Sequence, residues 1–135
     1  MNPHISAIAL GVKDVNRSKE FYSAIGWPIN VDQGQFVSFD AVDGSSSLAL
    51  YKKEGLAHDA GVSPDGSGFH GMTFSYIVRA DDRVDALLAE AESAGGTIIR
   101  PAERAQWGGY FGYFADPDNY LWKVVAGESA QRYSE

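Results

Sequence analysis

The stretch YFADPDNYLWKVV, Tyr113 to Val125, joins an Asp-Pro-Asp-Asn turn to an apolar strand with one lysine, Lys123, at its centre. Pro presets φ for a turn and Asn tolerates the left-handed conformation, while the apolar run that follows has the branched and aromatic residues of a strand. An earlier stretch repeats the pattern. FDAVDG, Phe39 to Gly44, lines up with FADPDN, Phe114 to Asn119, and each turn ends in a residue that accepts positive φ. Carried forward, that alignment sets Leu48 opposite Lys123.

Working outward, the two halves match along their length. ISAIALGV, Ile5 to Val12, reads as a buried strand, and Asp14 is placed to cap the helix that follows. In that helix Val15, Ser18, Tyr22 and Ile25 share a face, and Gly26 stands where a left-handed C-terminal residue is wanted. Strands are expected at Ile29 to Val31, Gln35 to Asp40 and Leu48 to Tyr51. MTFSYIV, Met72 to Val78, opens the second half, followed by the helix DDRVDALLAEAESAGG with an apolar stripe of Val84, Leu87, Leu88, Ala91 and Ala94. Strands follow at Thr97 to Arg100, near Tyr110 to Phe114, and at Tyr120 to Val125. Both halves read βαβββ. The segment between them, Lys52 to Gly71, is rich in Gly, Ser, Asp and Pro and reads as a connecting loop. The predicted organisation is a single domain, residues 1–135, with modules 1–51 and 72–127, the loop 52–71 and a tail 128–135.

The chain has 135 residues, 44% of them hydrophobic, enough for one domain with a sizeable core. Eighteen acidic against eleven basic residues give a net charge of -7, which repels nucleic acid phosphates and anionic membranes. No apolar run approaches the length of a membrane span and no basic segment leads into a signal region, so a soluble cytoplasmic protein is expected. The absence of cysteine excludes thiolate chemistry and disulfides.

The first-helix stretch VKDVNRSKEFYSAIGW and the closing hairpin GYFADPDNYLWKVV together resemble the vicinal-oxygen-chelate superfamily of glyoxalase I, extradiol dioxygenases and the fosfomycin and bleomycin resistance proteins. That resemblance implies an α+β fold: two tandem βαβββ modules forming a cupped, mostly antiparallel sheet with helices on the outside, assembled as a homodimer with a ligand in the cup. In the family's metal-dependent members, His or Gln on the first strand and Glu on the last strand of each module hold the metal. Matched residue by residue, those positions are Ala7, Leu48, Thr73 and Lys123. Ala and Leu have no donor atom, Thr is a poor one, and protonated Lys has no lone pair, so neither metal nor other cofactor is expected. His4, His58 and His70 show no ligand spacing and read as loop residues.

Strand alternation sets Ser75 on the same face as Thr73, and Leu121 and Val125 with Lys123. Pairing through the Asp-Pro-Asp-Asn turn adds Tyr110 and Gly112 to that face, an assignment that a slip of one residue reverses. Lys123 has two readings: an ammonium in water with its stem on apolar surface, or a contact to an anionic ligand. Trp107 and Tyr110, in a glycine-rich aromatic run, are either packed strand residues or a wall against which a flat ligand stacks. The expected ligand-binding set is therefore Trp107, Tyr110, Lys123, Ala7, Leu48, Thr73 and Ser75, with no catalytic residue assigned. A metal-free protein of bleomycin-resistance type that binds a small organic ligand fits these residues. A glyoxalase-like isomerase or lyase with a non-standard site, and a structural or regulatory dimer with a vestigial cup, are the alternatives.

Overall fold

In the computed structural model, which describes residues 5–41, 45–60, 62–66, 68–70, 72–106 and 108–127, the first module runs β1 (Ala7–Val12), α1 (Val15–Ala24), β2 (Ile29–Asp32), β3 (Phe36–Phe39) and β4 (Ser47–Lys52). A further helix, α2 (Lys53–Ala60), follows. The second module repeats the order as β5 (Thr73–Val78), α3 (Asp81–Ser93), β6 (Thr97–Arg104), β7 (Tyr110–Ala115) and β8 (Leu121–Ala126). The modules lie in separate compact units, Met1–Ser67 and Gly68–Glu135. Each forms one four-stranded sheet, in order β1-β4-β3-β2 and β5-β8-β7-β6. The β1–β4 and β5–β8 pairs are parallel and the others antiparallel, as the two βαβββ repeats require.

Local sequence explains the helices. The Asp14 carboxylate accepts a hydrogen bond from the Arg17 N–H at 3.0 Å, satisfying one of the free donors at the start of α1. Val15, Ser18, Phe21 and Tyr22 recur at helical spacing and are buried, and Gly26 at φ +112° ends the helix as expected. Tyr22 packs against Phe39 and Trp27, so an aromatic cluster fills the space between α1 and the first sheet. In the second module, α3 starts with Asp81 and Asp82 at its positive end and buries Val84, Leu88 and Ala91. Beneath it, Trp122 stacks on Phe114 and meets Phe74.

The connecting segment is not all loop. Residues 53–60 form α2, which packs on the first sheet through Leu56 and Ala57. Gly11 allows this approach: a Cβ there would sit 3.2 Å from the Lys53 Cα and 3.5 Å from Leu56 Cδ2. The glycine in its middle, Gly55, and its single turn of apolar residues hid this helix from periodicity. His58 is exposed on it.

The second module's register is fixed at the Asp-Pro-Asp-Asn turn. Asp116 is only 3% exposed, and its carboxylate accepts hydrogen bonds from the N–H groups of Asp118 and Tyr120, each at 2.9 Å. Asn119 takes φ +68°, the only non-glycine residue with positive φ among the described residues. Asp116→Ala leaves two shielded backbone donors without their acceptor, and the expected loss of stability is about 2–4 kcal/mol. A lower midpoint in urea at unchanged slope is the expected result, and a midpoint equal to that of the wild type contradicts it.

Candidate functional site

Each sheet has one face packed under a helix; the opposite face carries α2 at one end in the first sheet and is open in the second. In the second sheet Thr73, Ser75 and Ile77 on β5 lie beside Leu121, Lys123 and Val125 on β8, and these beside Ala115, Tyr113 and Phe111 on β7. Ser75, Lys123 and Tyr113 thus stand side by side across three strands. Thr73 and Ser75 are exposed, while Lys123 and Tyr113 are half-buried. The Lys123 ammonium lies 4.7 Å from the centre of the Phe111 ring, a cation–π contact that keeps it on this face.

A second cation joins it from β6. The Arg100 guanidinium is also 4.7 Å from the Phe111 centre, and its Nε donates to Glu103 Oε1 at 3.0 Å, with Nη2 bonding the same oxygen. Residues three apart on a regular strand point to opposite faces. Here the register shifts between Arg100 and Glu103, so that Arg100 pairs with Tyr113 and Glu103 with Phe111, both of the open face. Neither Arg100 nor Glu103 is legible as a face residue in the sequence, because alternation read along β6 cannot show a bulge.

Several expected positions move. β1 pairs Ala7 with Ser47 and Ile8 with Leu48, so Leu48 shares the face of Leu10 and Val37 under α1 and is 2% exposed. The open-face counterpart of Lys123 is Ala49. The cause is turn length: seven residues separate Phe39 from Ser47, but six separate Phe114 from Leu121, and a shift of one exchanges the faces. Ala7 is on the open face as expected, next to Ala9. Tyr110 pairs with Ala126 and lies on the helix side, where its hydroxyl donates to the Asp85 carboxylate of α3 at 2.8 Å. Gly112 is on that side too, since a Cβ there would meet Leu88 Cδ1 at 2.7 Å. Trp107 and His4 lie outside the described residues. His70 stacks on Tyr120, 4.6 Å between ring centres.

The positions that the resemblance assigns to metal ligands carry, in the observed register, Ala7, Ala49, Thr73 and Lys123. This donor set does not fit a divalent ion, because it offers one neutral hydroxyl and one cation. Among the described residues no three His, Asp or Glu side chains come together to hold a metal. No described helix is long and apolar enough to cross a membrane.

The repeated βαβββ unit, with its helix packed on one face of its sheet, defines a duplicated α+β protein. Residues 4–124 match the model of the Glyoxalase/Bleomycin resistance protein/Dioxygenase superfamily, and the chain belongs to that superfamily. Among solved structures it is similar to a glyoxalase-related enzyme from Fulvimarina pelagi, with 29% identity over 93% of this chain and 88% of that one and a TM-score of 0.84. A superfamily member from Burkholderia phytofirmans (20% identity, 91% and 98% covered, TM-score 0.77) shares the fold. So does a lactoylglutathione lyase from Agrobacterium tumefaciens (22% identity, 96% and 97% covered, TM-score 0.65). No curated protein sequence gives a significant match.

On the helix side, the hydrogen bond to Asp85 holds the Tyr110 phenol above its ordinary 10.0, helped by lost solvation and the charges of Asp85 and Asp81 and opposed by Arg104. Arg104 lies over the Tyr110 ring, 5.2 Å from its centre, and pairs with Asp81. Because the folded value is raised, the bond contributes in full below the ordinary phenol pKa and is lost as pH rises through the raised one. Ultraviolet titration should show a tyrosine ionising above the ordinary range, which Asp85→Asn lowers and Tyr110→Phe removes. A curve unaltered by Tyr110→Phe contradicts the assignment.

Proposed function

We propose that this chain binds a small organic molecule without a resident metal, in the manner of the glyoxalase and bleomycin-resistance type, and that the open face of the second sheet is its seat. The observation that carries this reading is the row Ser75, Lys123 and Tyr113, with Thr73 beside it: small hydroxyl residues leave room next to a lysine and an aromatic wall. On the first sheet the corresponding row is Ala9, Ala49 and Ser38, which carries no charge, and Ala49 in its middle is buried. The lysine at the position where the resemblance implies a metal-binding carboxylate supports binding by side chains in place of an ion. Leu48 and Tyr110 point to the helix side and take no part in this seat.

A thermal-shift screen of small aromatic acids and antibiotics tests the reading. A binder raises the melting temperature with concentration, by about 2.7 kcal/mol of stabilisation at one hundred times its dissociation constant. Ser75→Phe fills the face whatever the charge of the ligand and should remove the shift. A shift that survives Ser75→Phe moves the site elsewhere. Metal analysis of protein purified without chelators completes the test, since a stoichiometric transition metal needed for binding would overturn the metal-free reading.

A further inference from the structure

Arg100 presents a side-on fork to Glu103, with Nε and Nη2 both donating to Oε1. Both bonds fall on one oxygen, whereas the same Nε–Nη2 edge can take the two oxygens of a carboxylate on two parallel N–H groups, a stronger arrangement than this pair makes. Arg100 and Glu103 are 52% and 55% exposed, so their ion pair is screened by water and weak enough to exchange. Lys123 and Arg100 are each 4.7 Å from the centre of one ring, so the two charges lie within twice that distance of each other. Glu103 satisfies the arginine.

We propose that the ligand of this face is an organic carboxylate, and that Glu103 is a built-in competitor which holds the Arg100 fork until that carboxylate displaces it. This rests on the seat described above. The β6 bulge is what gives Glu103 its role, since without it Glu103 would point to the helix side and leave Arg100 alone. An incoming carboxylate takes over the fork and gains Lys123, while the hydroxyls of Thr73 and Ser75 are exposed beside the lysine to bond a second oxygen. The body of the ligand lies along Tyr113. No covalent step is involved: one carboxylate replaces another, and Glu103 returns to water.

Nuclear magnetic resonance of the full chain, titrated with benzoate and with its uncharged counterpart benzamide, tests the proposal. Benzoate at millimolar concentration should shift the resonances of Thr73, Ser75, Tyr113 and Lys123, and bind about tenfold or more tightly than benzamide. Lys123→Met and Arg100→Gln should each weaken benzoate about tenfold, whereas Glu103→Gln should tighten it severalfold and leave benzamide unchanged. Unperturbed amide spectra elsewhere confirm that each variant is folded. Equal binding of benzoate and benzamide on this face overturns the carboxylate assignment and leaves the seat standing. Unchanged or weaker benzoate binding by Glu103→Gln overturns the competitor role. Absence of any benzoate-induced shift on this face overturns the proposal, and the response of the thermal shift to Ser75→Phe then decides the fate of the seat independently.

Discussion

The Asp116 carboxylate closes the β7–β8 turn by accepting hydrogen bonds from two backbone N–H groups, and much of the second module's arrangement follows from where that turn sits. With the turn fixed, β8 can pair with β7 in one register only. Because side chains alternate along a strand, this decides which residues lie under α3 and which lie on the open face. Trp122, Val124 and Ala126 go to the core, and Leu121, Lys123 and Val125 to the other side. Moving the turn by one residue would bury a lysine and expose a tryptophan. Hydrophobic burial and hydrogen bonding therefore favour the same register, and neither has to override the other.

The open face shows how a bulge enlarges what an edge strand can offer. A regular β6 would send Arg100 and Glu103 to opposite sides of the sheet, where they could not bond. The irregularity brings both onto the face of Lys123, and the Phe111 ring gives the two cations a common surface. On the far side of the same hairpin, Arg104 lies over Tyr110, and the Tyr110 hydroxyl ties β7 to α3. The β6–β7 hairpin thus carries one arginine on each side, with opposite duties: one faces the open side of the sheet, and the other helps anchor the hairpin to the helix.

Much of the fold was legible because it rests on local signals. Asp14, Gly26, the apolar stripe of α3 and the Asp-Pro-Asp-Asn turn each announce their structure in a few residues, and the duplication lets one half check the other. The α2 helix was not legible, since it is held by packing against Gly11 and not by its own periodicity. The candidate face was readable where it depended on one strand: Thr73, Ser75 and Lys123 follow from alternation alone. It was misread where two strands had to be aligned. Leu48 falls opposite Lys123 only if the two turns are equally long, and Tyr110 joins the open face only in a register shifted by one residue. Arg100 and Glu103 were invisible because a bulge leaves no mark in the pattern of apolar and polar residues.

Gly11 and α2 also bear on how the two halves diverged after duplication. In the second module the position equivalent to Gly11 is Ile77, whose side chain occupies the end of the open face that α2 occupies in the first. The same space is filled in one copy by a side chain and in the other by a helix. Neither solution can be converted to the other by a single step: an isoleucine at position 11 collides with the Lys53 backbone, and a glycine at position 77 removes the side chain without supplying a helix to cover the strand. The glycine and the helix form one inherited unit, and the two repeats, though alike in topology, have ceased to be interchangeable parts.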